Sequence, residues 1–233
     1  GVIEVVGLTA RGWRDLPEQL RARIQHAEVL IGSPRHLDLI PPVPGQQRIP
    51  WPSPLRDGLP MLLNDVSGRR VVALASGDPL LAGIATTLVE LVGAETVRIH
   101  PAVSSVALAR ARMGWPEEST QLARLRGADL DAVRRYLFPG GRLIILSRDA
   151  KSPGEVAQLL TDEGYGDSMI TVFGDLDSDT ESCTKAVAHD WVGHHVPALN
   201  VICVACVGAA GRSTSLVAGL PDEAFDHDGQ LTK

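Results

Sequence analysis

The chain has only three cysteines among its 233 residues, and none falls in the spacing of a disulfide framework. That usage fits a reducing compartment better than secretion, so a cytoplasmic location is expected. No apolar run approaches the roughly 18 residues that a spanning helix needs, so no membrane association is expected. Positive charge is not in excess: the formal net charge is −6, which argues against a nucleic-acid partner. Nucleotide-binding signatures are also missing. After a first strand expected at 2–6, the loop reads Gly7-Leu8-Thr9-Ala10-Arg11-Gly12. Thr9 stands where a G-x-G-x-x-G fingerprint needs its second glycine, and Trp13-Arg14 stand where a P-loop needs Lys and Ser/Thr. Arg11 and Arg14 remain, either as solvated loop residues or as anion contacts.

Metal-ligand sets fail on similar grounds. Cys203-x-x-Cys206 has no second Cys or His pair at ligand spacing, and residues three apart on a strand point to opposite faces. Both read as buried strand cysteines. His194 and His195 are adjacent, so a regular strand cannot turn both toward one ion. Asp175, Asp177, Asp179 and Glu181 alternate like the start of a calcium loop but lack its glycine and closing glutamate. No metal centre is expected.

What is present is an ordinary globular composition, 44% hydrophobic and 21% charged, in a length suited to one or two domains. The chain is organised around VVALASGDPLLAGI (71–84). Residues 71–75 form a short run of small and β-branched residues, as a buried parallel strand would. Ser76-Gly77-Asp78-Pro79 stops it: Gly77 permits positive φ or close backbone approach, and Pro79 suits a first helical turn. A helix is therefore expected from Leu80. Such a strand, tight polar turn and helix make the usual ligand site of open α/β sheets.

A second turn repeats that logic. A strand at 96–99 leads into His100-Pro101-Ala102-Val103-Ser104-Ser105 and an alanine-rich helix. Ser104 and Ser105 are either helix caps or ligand contacts, and two such turns on neighbouring strands favour a shared crevice. Elsewhere in the first half, Asp15 is expected to cap a helix opened by Pro17, and 28–31 to form a strand ending in a loop at 32–37. Residues 41–54, with six prolines, read as an extended surface connection, and 55–65 as a helix. The second half alternates strands (121–125, 143–146, 169–173, 182–188, 198–207) with helices (130–137, 153–162), which predicts an α/β layer with a mixed sheet. An acidic, patternless tail closes the chain.

The motifs together resemble the tetrapyrrole (precorrin/corrin) methylase family. They are the strand and glycine loop at 2–12, EVLIGSPRHL (28–37), ASGDPLLAGI (75–84), HPAVSSVALARARMGW (100–115) and the late strand Leu199-Asn200-Val201. Arg35-His36-Leu37 after a glycine turn points to the cobalamin-biosynthesis branch that methylates carbon 5 of precorrin-6Y or precorrin-7. Two loops depart from the family pattern: G-x-G-P-G appears as Gly7-Leu8-Thr9-Ala10-Arg11, and Leu-His-Gly-Arg as Leu125-Arg126-Gly127-Ala128.

The resemblance implies a two-lobed α/β fold of the class III methyltransferase type. Its N-terminal lobe (1–117) would carry a mostly parallel sheet and its C-terminal lobe (118–218) a mixed one, with S-adenosylmethionine in the cleft between them. Residues 219–233 would link to a C-terminal methyltransferase/decarboxylase domain of the same polypeptide, and a homodimer is implied. Carried over by motif, Ser76, Gly77, Asp78, Leu81, Ser104, Ser105, Leu146 and Ser147 would contact the cofactor. Asp78 is the candidate catalytic residue, lying near the sulfonium or else capping the helix behind it. The many carboxylates of a precorrin would need local positive charge from Arg11, Arg14, Arg35, His36, Arg110, Arg112 and Arg126. Two alternatives stand beside this reading: a catalytically silent tetrapyrrole-binding module, and a methylase of the same fold acting on RNA or protein.

Overall fold

The computed structural model describes residues 1–127 and 129–209, so the tail at 219–233 lies outside the described residues. Packing divides the chain into two compact units, Gly1–Ser105 and Val106–Lys233. The sequence places this boundary at 117/118, near the Trp115-Pro116 turn. The observed division falls twelve residues earlier because Val106, Ala109 and Met113 pack with the core of the second unit.

The first unit is a five-stranded, all-parallel sheet in the order β3-β2-β4-β1-β5. The strands are β1 (Ile3–Leu8), β2 (Val29–Gly32), β3 (Gln47–Pro50), β4 (Val71–Ser76) and β5 (Val97–His100). Its helices are α1 (Glu18–His26), α2 (Pro34–Asp38), α3 (Leu55–Asp65) and α4 (Ile84–Val92). β4 is the middle strand, and every residue from Val71 to Ala75 is buried. Val71, Ala73 and Ala75 join one core with Leu59 of α3 and Leu88 of α4; Val72 and Leu74 join the other with Ile24 of α1. A strand covered on both faces has no room for polar alternation, hence its continuous apolar run. Each fully buried side chain such as Leu74 contributes about 1.5–3 kcal/mol relative to exposure.

Four details differ from the sequence reading. β3 lies inside the proline-rich 41–54 stretch: this edge strand gives the core Ile49 alone and is otherwise held by pairing with β2 and by polar groups. Arg48 donates to the carbonyls of Leu37 and Ile40, and Gln46 beside it to those of Ile24 and Ala27. The 32–37 loop contains α2, capped by the Ser33 hydroxyl, which accepts the His36 N–H at 3.2 Å, with Pro34 in the first turn. Asp15 caps no helix: it ends a 3-10 turn (Gly12–Asp15) and accepts the Thr9 hydroxyl at 2.7 Å. The helix after β4 begins at Ile84, not Leu80. Ala82 is left-handed (φ 51°), and a Cβ on Gly83 would lie 2.4 Å from the Pro79 carbonyl oxygen, so 79–83 coil into a tight loop.

The second unit is a mixed sheet in the order β6-β7-β10-β8-β9. Its strands are β6 (Gln121–Arg124), β7 (Arg142–Leu146), β8 (Met169–Gly174), β9 (Ser182–Val187) and β10 (Asn200–Ala205). β6 and β7 run parallel; β10 is antiparallel to both β7 and β8, and β9 to β8. Strand alternation sorts β10 onto two faces. Ile202 and Val204 face α6 (Asp131–Arg134) and α7 (Ser152–Asp162), while Val201 and Cys203 face α5 (Ser105–Met113). Among the described residues no helix is long and apolar enough to cross a membrane.

Candidate functional site

The order of strands in the first sheet locates the candidate site. From β1 the chain passes over β4 to reach β2, whereas from β4 it passes over β1 to reach β5. Adjacent strands whose connections depart in opposite directions leave a crevice outside their carboxyl ends. Gly7, the last residue but one of β1, and Gly77, just beyond β4, stand at those ends.

These ends are locked together by backbone. The Gly77 N–H donates to the Leu8 carbonyl at 2.8 Å, and the Gly77 carbonyl accepts the Ala102 N–H at 3.0 Å. β1, β4 and the segment after β5 are thereby tied at one residue. Gly77 has φ +56°, and a Cβ on it would meet Ser104 Cα and the Val103 carbonyl at 3.1 Å. The turns carrying Gly77 and Ser104 are therefore direct neighbours. Gly7 is stricter: a Cβ there would lie 1.9 Å from the Gly77 oxygen. The role of Gly7 is absent from the sequence reading, which treats it as one member of two failed nucleotide motifs; its signal was the retained first glycine of G-x-G-P-G.

Asp78 is half-buried, and its Oδ1 accepts the Leu80 N–H at 2.9 Å while its carbonyl accepts the Leu81 N–H at 3.0 Å. It shapes the tight loop rather than capping α4, which starts six residues later. Leu81 is half-buried in that loop, Ser104 ends the segment after β5, and Ser105 opens α5. Ser76 ends β4 with its hydroxyl 3.0 Å from His36 Nε2 and 3.5 Å from Arg35 Nη2. Arg35, His36 and Ser76, forty residues apart, are thus one group of contacts.

His36 is 7% exposed. Burial penalises its charged form, and the neighbouring Arg35 charge adds to that, pulling the imidazole down to about 4. His36 is neutral at physiological pH and supplies no positive charge. Arg35 and Arg11 are exposed cations of the first unit, Arg11 opening the 3-10 turn behind Thr9.

In the second unit, Leu146 and Ser147 stand at the carboxyl end of β7, and the Ser147 hydroxyl donates to the Asp149 carbonyl at 2.9 Å. Buried Asn200 fastens the start of β10 to that loop, its Nδ2 donating to the carbonyls of Asp149 (3.1 Å) and Pro197 (2.9 Å). Its buried Oδ1 has no hydrogen-bond partner among the described residues. Arg112 is gripped by both oxygens of Glu181, at 3.2 and 2.9 Å, which holds the Glu181 carboxyl below its usual range. Glu181 also accepts the Asp177 N–H at 2.7 Å, so the acidic 175–181 loop closes on an arginine. Arg126 is exposed beside Gly127, in a single bridge to Asp129. Cys203 and Cys206 are both buried, and burial pushes each thiol up to about 12.

Comparison with known proteins agrees with this arrangement. The family model for Tetrapyrrole (Corrin/Porphyrin) Methylases matches residues 2–176. The chain is 40% identical to the precorrin-6Y C(5,15)-methyltransferase [decarboxylating] of Mycobacterium tuberculosis, over 100% of this chain and 58% of that protein. It therefore spans a little over half the length of that relative. Identity to the cobalt-precorrin-7 C(5)-methyltransferase of Salmonella typhimurium is 30%, covering 77% of this chain and 88% of that one. The crystal structure of the precorrin-6Y methylase of Archaeoglobus fulgidus superposes with a TM-score of 0.66 at 26% identity, covering 88% of this chain and 98% of that one. With three parallel strand ends tied at one glycine, a mixed second sheet and these likenesses, the chain belongs to the tetrapyrrole methylase family.

Proposed function

We propose that the chain is a methyltransferase domain that moves a methyl group from S-adenosylmethionine to carbon 5 of a precorrin in cobalamin biosynthesis. The observation that carries this reading is the Gly7–Gly77–Ala102 junction. Absent side chains at Gly7 and Gly77 let three strand ends approach closely, bringing Ser76, Asp78 and Ser104 to the carboxyl ends of β4 and β5. That is where open parallel sheets bind their ligands. The names of the relatives, one acting at carbons 5 and 15 and the other at carbon 5, supply the substrate class.

When bound, S-adenosylmethionine supplies a sulfur-activated methyl group. The chain's part is positioning, which can contribute roughly 7–11 kcal/mol to such a displacement. In the first unit, Ser76, Gly77, Asp78, Leu81, Ser104 and Ser105 are the residues assigned to orient the cofactor. Asp78 is the candidate for a carboxylate near the reacting groups. Arg35 and Arg11, exposed and paired with no carboxylate among the described residues, suit the acidic rim of the macrocycle, each contact being worth roughly 1.5–3 kcal/mol. Arg126 is assigned the same role. Arg112 competes less well, because Glu181 already occupies its fork. The same reading takes the chain as part of a cytoplasmic homodimer whose polypeptide includes a C-terminal methyltransferase/decarboxylase domain.

Incubating the purified chain with precorrin-7 and methyl-labelled cofactor tests this directly, and the label is expected on carbon 5. Label at another carbon would refute the regiochemistry. Calorimetry showing no S-adenosylmethionine binding would favour a silent tetrapyrrole-binding module.

A further inference from the structure

Among the described residues of the first unit, His36 is the one polar or charged side chain that is buried. Its partner, Ser76, is exposed. A buried imidazole is costly unless its nitrogens are used, and an apolar side chain would fill the same space at lower cost. The contact geometry says how one nitrogen is used. Arg35 Nη2 lies 3.3 Å from His36 Nε2 and 3.5 Å from Ser76 Oγ, and Ser76 Oγ lies 3.0 Å from that same Nε2. A guanidinium only donates. Two arrangements fit these distances: Nε2–H donating to Ser76 with Arg35 on the serine oxygen alone, or the ring proton on Nδ1 with Arg35 and the Ser76 hydroxyl sharing the Nε2 lone pair. The second uses both Arg35 contacts, and it leaves the serine oxygen one lone pair beside the one that Arg35 takes.

We propose that His36 is a positioning residue for the methyl-donor site. By accepting the Ser76 hydroxyl proton it holds the Ser76 oxygen as an acceptor, turned to a donor group (ammonium or hydroxyl) of S-adenosylmethionine. This rests on the assignment of Ser76 to the cofactor. Without His36 the hydroxyl proton is no longer fixed, and the 3.5 Å contact from Arg35 to the oxygen is the restraint that remains. Low basicity suits the role, since a protonated Nε2 would donate and reverse the polarity of the serine.

The test is calorimetric titration of the whole chain with S-adenosylmethionine at pH 7.5. His36→Phe keeps a ring but removes the acceptor, and is expected to weaken binding about tenfold. His36→Gln returns an acceptor oxygen and is expected to lose no more than about threefold. Ser76→Ala is expected to lose about tenfold, and the pair His36→Phe/Ser76→Ala no more than Ser76→Ala alone, because one contact is being removed twice. Equal binding by wild type and His36→Phe, or losses that multiply in the double variant, would overturn the proposal. Nitrogen NMR on the wild type decides independently of whether His36→Phe folds. The proton is expected on Nδ1, and a proton on Nε2 refutes the role. A wild type that binds no S-adenosylmethionine overturns the cofactor reading beneath the proposal, a failure the tautomer measurement keeps separate from that of the His36–Ser76 contact.

Discussion

As pH falls, His36 should be the first residue through which acid weakens the first unit. In the native chain its imidazole is pulled from 6.5 to about 4, by burial first and by Arg35 second. In the unfolded chain it returns to about 6.5. Above pH 6.5 both states are neutral and the residue contributes nothing that varies. As pH falls below 6.5 the unfolded state takes up a proton that the native state refuses, so stability drops until the native imidazole also protonates near 4. At about 1.36 kcal/mol per unit, the loss is about 2 kcal/mol by pH 5 and about 3 kcal/mol once both states are charged. Paired carboxylates with lowered values, Glu28 and Glu181 among them, also lose stability in acid, but at lower pH. The comparison is therefore wild type against His36→Gln, which retains the carboxylates and removes the titrating ring. Urea unfolding at steps from pH 7.5 to 4.5, followed by both circular dichroism and tryptophan fluorescence, gives the difference in stability at each pH. That difference should shift toward the variant by about 2 kcal/mol between pH 7.5 and 5. A difference that stays flat would mean that the imidazole is not buried as a neutral group, and the argument would fail.

Gly7→Ala should be far more harmful than an ordinary strand substitution. Its Cβ would lie 1.9 Å from a backbone oxygen, so the Gly7–Gly77 junction must open. We expect a loss of about 1–3 kcal/mol in chemical denaturation, together with loss of S-adenosylmethionine binding; a stable, binding-competent variant would contradict the junction. Of the three thiols, Cys183 alone should react rapidly with a disulfide reagent at pH 8, since Cys203 and Cys206 are buried with values near 12. Two or three fast equivalents would refute their burial. Arg35→Ala should raise the KM for a precorrin several-fold, whereas Arg112→Ala should chiefly lower thermal stability, by an amount that shrinks in high salt as its pairing with Glu181 is screened. Steady-state kinetics and melting curves at two ionic strengths separate the two.

The chain's apolar pattern by itself determined the alternation of strands and helices, the placement of β4 at the centre, and the pairing of two polar turns. Those features depend on local physics. A strand buried on both faces must be continuously apolar, and residues such as Ser-Gly-Asp-Pro break it wherever they occur. Less visible were features whose cause lies far away in sequence. β3 is held largely by Arg48 and Gln46 reaching distant carbonyls and gives the core Ile49 alone, so it bears little apolar signature. Ser33 and Pro34 spell a helix start, but α2 is a single short turn with too few residues for a period to show. Only the folded chain decided that Gly7 must lack a side chain, because the atom it would strike belongs to Gly77, seventy residues on. Only the folded chain separated Arg35 from Arg112 and made His36 neutral. Charge state and availability are set by burial and by neighbours, and both come from tertiary contacts that residue type cannot express.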